Sequence, residues 1–257
     1  MPKPITPWPG GKSRLASTLF SLFCDRHRTY VEPFAGAAAM LFLRSEPAKA
    51  EVLNDINRDL VNLYRVVQHH LDEFVRQFRW QLVSRDEFGR LLQSPPDTLT
   101  DIQRAARFFY LQKQAFGARV AGKTFGVDPR SAPRLNLLRL EEDLSDAHLR
   151  LARVTIENLP WQSCMARYDS PETFFFLDPP YWQTEGYGVP FGLEQYELLA
   201  ATMRGLKGRA LLTVNDHAQM REVFSGFRTK RLSTHYTIGR AASTKAKPRG
   251  ELAVMSW

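Results

Sequence analysis

Cysteine is scarce in this sequence: 257 residues contain two, Cys24 and Cys164, and neither has metal-ligand spacing around it. Two distant thiols cannot make a disulfide framework, so the chain reads as a protein of a reducing, cytoplasmic compartment with no bound metal. Long apolar runs are missing too. None approaches the ~20 residues that a membrane span needs, and no apolar core of a signal peptide follows Met1-Pro2-Lys3-Pro4. The six histidines are scattered, and the adjacent His69 and His70 fall in a polar helical stretch that reads as solvated surface. Gly10-Gly11-Lys12-Ser13 lacks the glycine a P-loop requires five positions before Gly11, where Thr6 stands. A nucleoside triphosphatase of that kind is excluded.

Acidic residues are nearly absent from two stretches. Residues 103–139 hold eight Lys/Arg against Asp128 alone, and residues 228–249 hold seven with no acid. Each segment carries +7, and because the whole chain is +8, the remainder is an acidic body of −6. Such clustering favours a polyanion over a uniformly solvated surface. Phe108, Phe109, Tyr110, Phe116 and Phe125 are interleaved with the first set of cations, a pattern suited to stacking on nucleic-acid bases.

The apolar pattern argues an α/β protein with a mostly parallel sheet. Strand-like runs at 30–34, 50–53, 154–156, 173–177 and 210–214 are spaced for crossover helices, one of them at 193–206. Residues 231–238 and 251–257 are joined by a basic loop and read as an antiparallel pair. Further helices are expected at 14–23, 59–81 and 102–116, followed by a flexible basic loop with Gly117, Gly122 and Gly126. Residues 66–153 show no βαβ pattern and form a helical insertion in a core of 1–65 and 154–257.

Two strand ends carry chemistry. Tyr30 to Phe34 runs into the small residues 35–39 and then a helix through Leu43, a turn through which backbone can approach a ligand closely. The second strand ends in Asn54-Asp55, nineteen residues after Gly36. An acid at that distance holds the ribose hydroxyls of a nucleotide-like cofactor, or else caps the helix that begins near Asn57. The run Phe174-Phe175-Phe176-Leu177 ends in Asp178-Pro179-Pro180-Tyr181. Each proline fixes its own φ and keeps the preceding residue extended, so Asp178 leaves the strand on a stiff tetrapeptide. Its carboxylate and the Pro179 carbonyl can accept both hydrogens of a planar amine while Tyr181 stacks on the ring; a plain proline strand terminator is the alternative.

Taken in order, Trp8-Pro9-Gly10-Gly11-Lys12, Glu32-Pro33-Phe34-Ala35-Gly36, Asn54-Asp55-Ile56-Asn57 and Asp178-Pro179-Pro180-Tyr181 resemble the Dam-type, D12 class DNA adenine-N6 methyltransferases. The resemblance implies a Rossmann-like core that binds S-adenosylmethionine, interrupted by a target recognition domain where the 66–153 insertion stands. It implies a cofactor site made by Trp8, Lys12, Phe34, Ala35, Gly36, Asp55 and Asp178, and a catalytic motif of Asp178, Pro179, Pro180 and Tyr181. The substrate would be an adenine flipped out of duplex DNA. Lys113, Arg119, Lys123 and Arg130 in the insertion, with Lys245 and Lys247 in the 240–249 loop, are the expected DNA contacts, Arg119 and Lys123 reaching base edges. No membrane partner is expected, and the oligomeric state is open, a monomer being compatible.

Two departures stand out. Ala38 occupies a position where the family often has a second glycine, and Gln114-Ala115-Phe116-Gly117-Ala118-Arg119 stands near where GATC readers carry Tyr-Gly-Tyr-Asn-Gly. No target sequence is carried over, and the compact chain suits a phage enzyme as well as a stand-alone bacterial one. Rival readings are a cytosine-N4 methyltransferase, disfavoured by Asp rather than Ser at 178, and a catalytically idle DNA-binding protein of the same fold. An NAD-dependent oxidoreductase leaves the Asp-Pro-Pro-Tyr motif and the charge distribution unexplained.

Overall fold

Seven strands share one sheet in the computed structural model, which describes residues 2–24, 27–127, 130, 134–233 and 250–257. They are β1 (Thr29–Glu32), β2 (Ala50–Asn54), β3 (Val154–Glu157), β4 (Thr173–Leu177), β5 (Arg209–Asn215), β6 (Arg228–Ser233) and β7 (Gly250–Met255). The order is β3-β2-β1-β4-β5-β7-β6, parallel as far as β5, with β7 antiparallel to both its neighbours. The α/β expectation is borne out, including the C-terminal antiparallel pair. β6 begins at Arg228, earlier than anticipated, because Arg228 pairs with Met255. The remainder of the expected strand, 234–238, lies outside the described residues, as do Lys245 and Lys247.

From β1 the chain builds outward through β2 and β3, then returns to lay β4 and β5 on the other side. A crevice opens beyond the carboxyl ends of strands where connections leave in opposite directions. Here it lies between β1, which ends at Glu32, and β4, which is followed by Asp178.

β4 shows why the sequence holds four apolar residues without alternation. Phe174 and Phe176 face one apolar cluster with Phe42 and Leu211, whereas Phe175 and Leu177 face the other with Tyr196 and Met203. A central parallel strand covered on both faces has no polar side.

The helices are α1 (Ala16–Phe20), α2 (Ala39–Leu43), α3 (Arg58–His69), α4 (Leu71–Arg76), α5 (Arg85–Gln93), α6 (Asp101–Gln114), α7 (Leu140–Leu151), α8 (Trp161–Tyr168), α9 (Leu193–Gly205) and α10 (Ala218–Val223). Side-chain caps set several of their starts. Asn57 Oδ1 accepts from the amides of Asp59 and Leu60 at 3.0 and 3.2 Å, and Thr100 and Gln103 form a reciprocal capping box on α6. Periodicity overestimated helix length in three places. The expected 14–23 helix is a 3₁₀ turn at Lys12–Arg14 followed by α1, and Leu22 and Phe23 sit in tight turns. The expected 59–81 helix breaks at His70, whose φ −136° and ψ 42° are non-helical. α6 stops at Gln114 because Ala115 turns extended, and Phe116 and Gly126 then hydrogen-bond back across Gln114–Thr124, closing the loop expected to be open.

The aromatics interleaved with cations on α6 are a correction. Phe108, Phe109 and Tyr110 are buried in the same apolar cluster as α3 and α4 residues such as Leu63 and Phe74, so they are core and cannot stack on bases. A stripe at helical spacing satisfies a packing demand before a recognition one; of the five, Phe116 is the exposed ring.

Helix α7 is tied to the sheet by a buried ion pair. Arg150 of α7 grips Glu51 of β2 with two hydrogen bonds, 2.5 and 2.8 Å long, and also donates to the Leu41 carbonyl. Glu51 is 5% exposed, and with Arg150 removed it keeps only Arg44 at 3.8 Å and the Ala48 amide at 3.2 Å as partners, so a buried carboxylate loses its closest counter-charge. Arg150→Met is expected to cost about 3–5 kcal/mol, measured by urea unfolding. The double variant Arg150→Met/Glu51→Gln should recover a large part of that loss.

Candidate active site

The loop after β1 is drawn tight by the end of β2. Ala35 N–H donates to Asn54 O at 2.9 Å, and Gly36 N–H donates to Asp55 Oδ2 at 3.0 Å. Tyr64 of α3 donates its hydroxyl to the Gly36 carbonyl at 2.6 Å. Gly36 adopts φ +47°, and a Cβ there would lie 2.8 Å from the Trp8 indole. The glycine is demanded twice, by the left-handed backbone and by the ring against it. Ala38 takes the same left-handed region, φ 50° and ψ 39°, so the chain makes this turn without the family's second glycine.

Asp55 does not cap α3; Asn57 does. Asp55 Oδ1 accepts from Asn57 N–H at 2.8 Å while Oδ2 holds Gly36 N–H, which fastens the two strand ends together. Burial pushes its carboxyl above the ordinary aspartate range, opposed by those backbone donors. Each carboxylate oxygen keeps acceptor capacity beyond its one amide.

These elements line a cavity of about 370 Å³ at the sheet's switch point. All seven residues expected at the cofactor, Trp8, Lys12, Phe34, Ala35, Gly36, Asp55 and Asp178, lie on its wall. Sequence reading missed the far wall, where Trp161 and Phe191 pack against Phe34 at ring separations of 6.0 and 5.7 Å. The post-β3 loop and the 187–191 segment carry no motif, so their meeting with Phe34 is visible only in three dimensions.

Asp178 stands at the end of β4 with its side chain 22% exposed. Lys12 Nζ reaches both carboxylate oxygens, 2.7 Å from Oδ1 and 2.8 Å from Oδ2, and Thr213 of β5 donates to Oδ1 at 2.9 Å. Burial raises the Asp178 carboxyl above its usual range, while the Lys12 ammonium pulls it back down. Lys12 Nζ also donates to Gly10 O and lies 4.6 Å from the centre of the Tyr181 ring. Among the described residues no donor reaches the Pro179 carbonyl. The rest of the motif is braced: Tyr196 hydroxyl donates to Pro180 O, and Trp182 exchanges two hydrogen bonds with the Asn215 side chain at 3.0 and 3.1 Å. The arrangement offers a planar amine one carboxylate, one free carbonyl and one ring face.

The expected DNA contacts are distributed unevenly. Arg119 is exposed and pairs with exposed Glu185 at 3.4 Å. Arg130 is exposed. Lys123 turns inward, donating to Val120 O at 2.6 Å and lying 5.3 Å from the Phe108 ring centre, and burial lowers its pKa to about 8. Lys113 is half-buried over Phe109.

Residues 8–238 match the family model for D12 class N6 adenine-specific DNA methyltransferases. The chain belongs to this family. It is 26% identical to the type II methyltransferase M.CviBI of Paramecium bursaria Chlorella virus NC1A, covering 88% of this chain and 87% of that protein. It is 25% identical to a DNA adenine methylase of Haemophilus influenzae, covering 98% and 93% of the two chains. A DNA N-6-adenine-methyltransferase of Escherichia phage P1 matches at 27% identity over 98% of this chain, though over 35% of its own length. As a D12 class member the protein is a DNA N6-adenine methyltransferase, and the resemblance read from the four motifs is correct. No helix among the described residues is long and apolar enough to cross a membrane.

Glu32, at the mouth of the same crevice, is 2% exposed and accepts on Oε1 from Tyr30 hydroxyl and Leu41 N–H, both at 2.8 Å. Burial, against those two donors, pushes its pKa up to about 8. The folded state therefore holds this proton above pH 4.5 while the unfolded chain releases it, so the contribution of Glu32 to stability falls as pH rises from about 4.5 to about 8. The slope is at most about 1.4 kcal/mol per pH unit. Glu32→Gln keeps both acceptor bonds, and its unfolding free energy is expected to decline less than wild type's between pH 5.5 and 8. Gly36→Ala should destabilise the protein by roughly 1–3 kcal/mol, as calorimetry of unfolding would record.

Proposed function

We propose that the protein is a site-specific methyltransferase that uses S-adenosylmethionine in the 370 Å³ cavity to methylate N6 of an adenine flipped out of duplex DNA. The observation that carries this reading is that Asp178, braced by Lys12 and Thr213, opens onto the same cavity as the Gly36 loop and Asp55. The cavity suits the cofactor's chemistry. It joins an acid with spare acceptor capacity, a glycine cradle that a Cβ would fill, and an aromatic wall able to take a purine. When bound, S-adenosylmethionine supplies an electrophilic methyl group.

The chain's own residues supply positioning. An exocyclic amine conjugated into a purine is a weak nucleophile. Asp178 and the Pro179 carbonyl accept its two hydrogens, which turns the nitrogen lone pair toward the cavity. Tyr181 supports the base from one side and repays part of the few kcal/mol lost on unstacking. The proton released on methylation leaves through the Asp178 carboxylate to solvent. No covalent enzyme intermediate is required: neither cysteine lines the cavity, and burial pushes the Cys164 thiol up to about 12. The 66–153 insertion would act as the target recognition domain, with Arg119 and Arg130 among the cations available to DNA.

Incubation with methyl-labelled cofactor and mixed-sequence duplex, followed by nucleoside analysis, should put label in N6-methyladenine; label in N4-methylcytosine would overturn the assignment. In the same assay Asp178→Ala should lower transfer by at least about 10²–10³-fold while DNA affinity is retained. Near wild-type transfer by that variant would remove Asp178 from the chemistry.

A further inference from the structure

A second cavity, of about 520 Å³, lies on the other side of the Trp8 loop from the cofactor cavity, and the two share Trp8, Gly11 and Ala37 as walls. Among the described residues its charged lining is cationic: Arg14, Lys113 and Arg134, with no acid. Arg134 is anchored by a hydrogen bond to Ala115 O at 3.0 Å, and the Lys113 ammonium lies 5.2 Å from the Phe109 ring centre without a salt-bridge partner among the described residues. Burial lowers the pKa of Lys113, opposed by the Asp143 carboxylate. Ser13 and Thr6 add hydroxyls to the wall. Thr6 is 2% exposed, and its buried Oγ1 has no hydrogen-bond partner among the described residues. Thr6 Oγ1 is sealed from solvent in the wall of this cation-lined cavity, and its unpaired hydroxyl is a donor that an acceptor entering the cavity would satisfy.

We infer that this cavity is a phosphate-binding pocket for the substrate strand, receiving a backbone phosphodiester next to the flipped nucleotide. The inference rests on the reading of the protein as a DNA methyltransferase and adds Thr6 and Arg14, which neither the motifs nor the charge clusters singled out, to Lys113 and Arg134 of the 103–139 cluster. Proximity to the chemistry follows from one loop. Gly10 lines the pocket, and its carbonyl accepts from the Lys12 ammonium that also holds Asp178. A base seated against Asp178 therefore has its own backbone within a loop's width of the cationic wall. Arg14, Lys113 and Arg134 on the walls of one cavity offer an anion charge-assisted bonds, and phosphate contacts of this kind fix register without reading sequence.

The test measures DNA binding by fluorescence anisotropy over a range of salt for wild type, Thr6→Val, Arg14→Gln, Lys113→Met and Arg76→Gln, the last an exposed control on α4. The slope of log affinity against log salt should fall by about 0.9 for Arg14→Gln and for Lys113→Met and stay unchanged for Arg76→Gln. Thr6→Val should bind DNA several-fold more weakly while its thermal midpoint holds or rises, since the change removes an unsatisfied buried hydroxyl; a structural role would lower both. On a duplex that the wild type methylates, neutral methylphosphonates placed one phosphate at a time should reveal a sensitive position beside the target adenine. In Lys113→Met and Arg14→Gln that position should lose its effect. Slopes equal to wild type, or methylphosphonate penalties that simply add to those of the variants, would overturn the pocket. The slopes read binding alone, so a wild type that binds mixed-sequence DNA without transferring methyl would sink the methylation reading and leave the pocket to be judged on its slopes. A wild type with no salt-sensitive DNA affinity would overturn the pocket outright.

Discussion

An ammonium held between two oxygens of one carboxylate joins the two ends of this site. Lys12 comes from a loop near the start of the chain and Asp178 from the end of β4, 166 residues later, and their contact is what keeps an acid ionisable at the edge of a dry strand. β4 is covered on both faces, and burial pushes the Asp178 carboxyl above its usual range. Lys12 opposes that shift, and Thr213 from the neighbouring strand fixes the carboxylate's rotation. Because Lys12 also touches Gly10 O and the Tyr181 ring, the acid, the stacking ring and the N-terminal loop are positioned as one unit.

The same logic of fastening strand ends governs the loops around Gly36. Asp55 bonds Gly36 and Asn57, Tyr64 bonds Gly36, and Asn54 bonds Pro33 O and Leu159 O, so the loops after β1, β2 and β3 are held by side chains at the carboxyl end of the sheet. Parallel strands leave their loops without hairpin partners, and polar side chains take over that task. Preorganisation of this kind keeps a cavity open before any ligand arrives. Gly36, pressed by the Trp8 ring, marks where that preorganisation tolerates least change.

Charge follows a separate plan. The acidic body and the basic segments were evident from residue order, but the use of each cation depended on what packed beneath it. Lys123 folds back on its own loop, Arg119 meets Glu185, and Arg150 spends its charge on Glu51 inside the protein. Lys113 and Arg134 converge with Arg14 beside Trp8, three positions with no common motif. A run of cations in sequence thus predicts a polyanion partner better than it predicts which cation meets it.

By itself the sequence determined the sheet's class, the strand that bears Asp178, the four motifs and their order, and hence the family, because each is written in local pattern: an unbroken apolar run, a proline pair, a glycine before a helix. The absence of strands between β2 and β3 was legible too, and among the described residues helices α3 to α7 fill that crossover. Tertiary structure alone decided the rest. Local spacing left Asp55 evenly between a ribose acid and a helix cap; the fold gave the cap to Asn57 and used Asp55 to clasp Gly36 and Asn57. It turned Phe108, Phe109 and Tyr110 into core, since an amphipathic helix buries its apolar stripe wherever a partner helix is offered. It also brought Trp161 and Phe191 to Phe34 and Lys12 to Asp178, contacts between residues far apart in the chain whose energies arise from burial and distance, and neither quantity exists until the chain has folded.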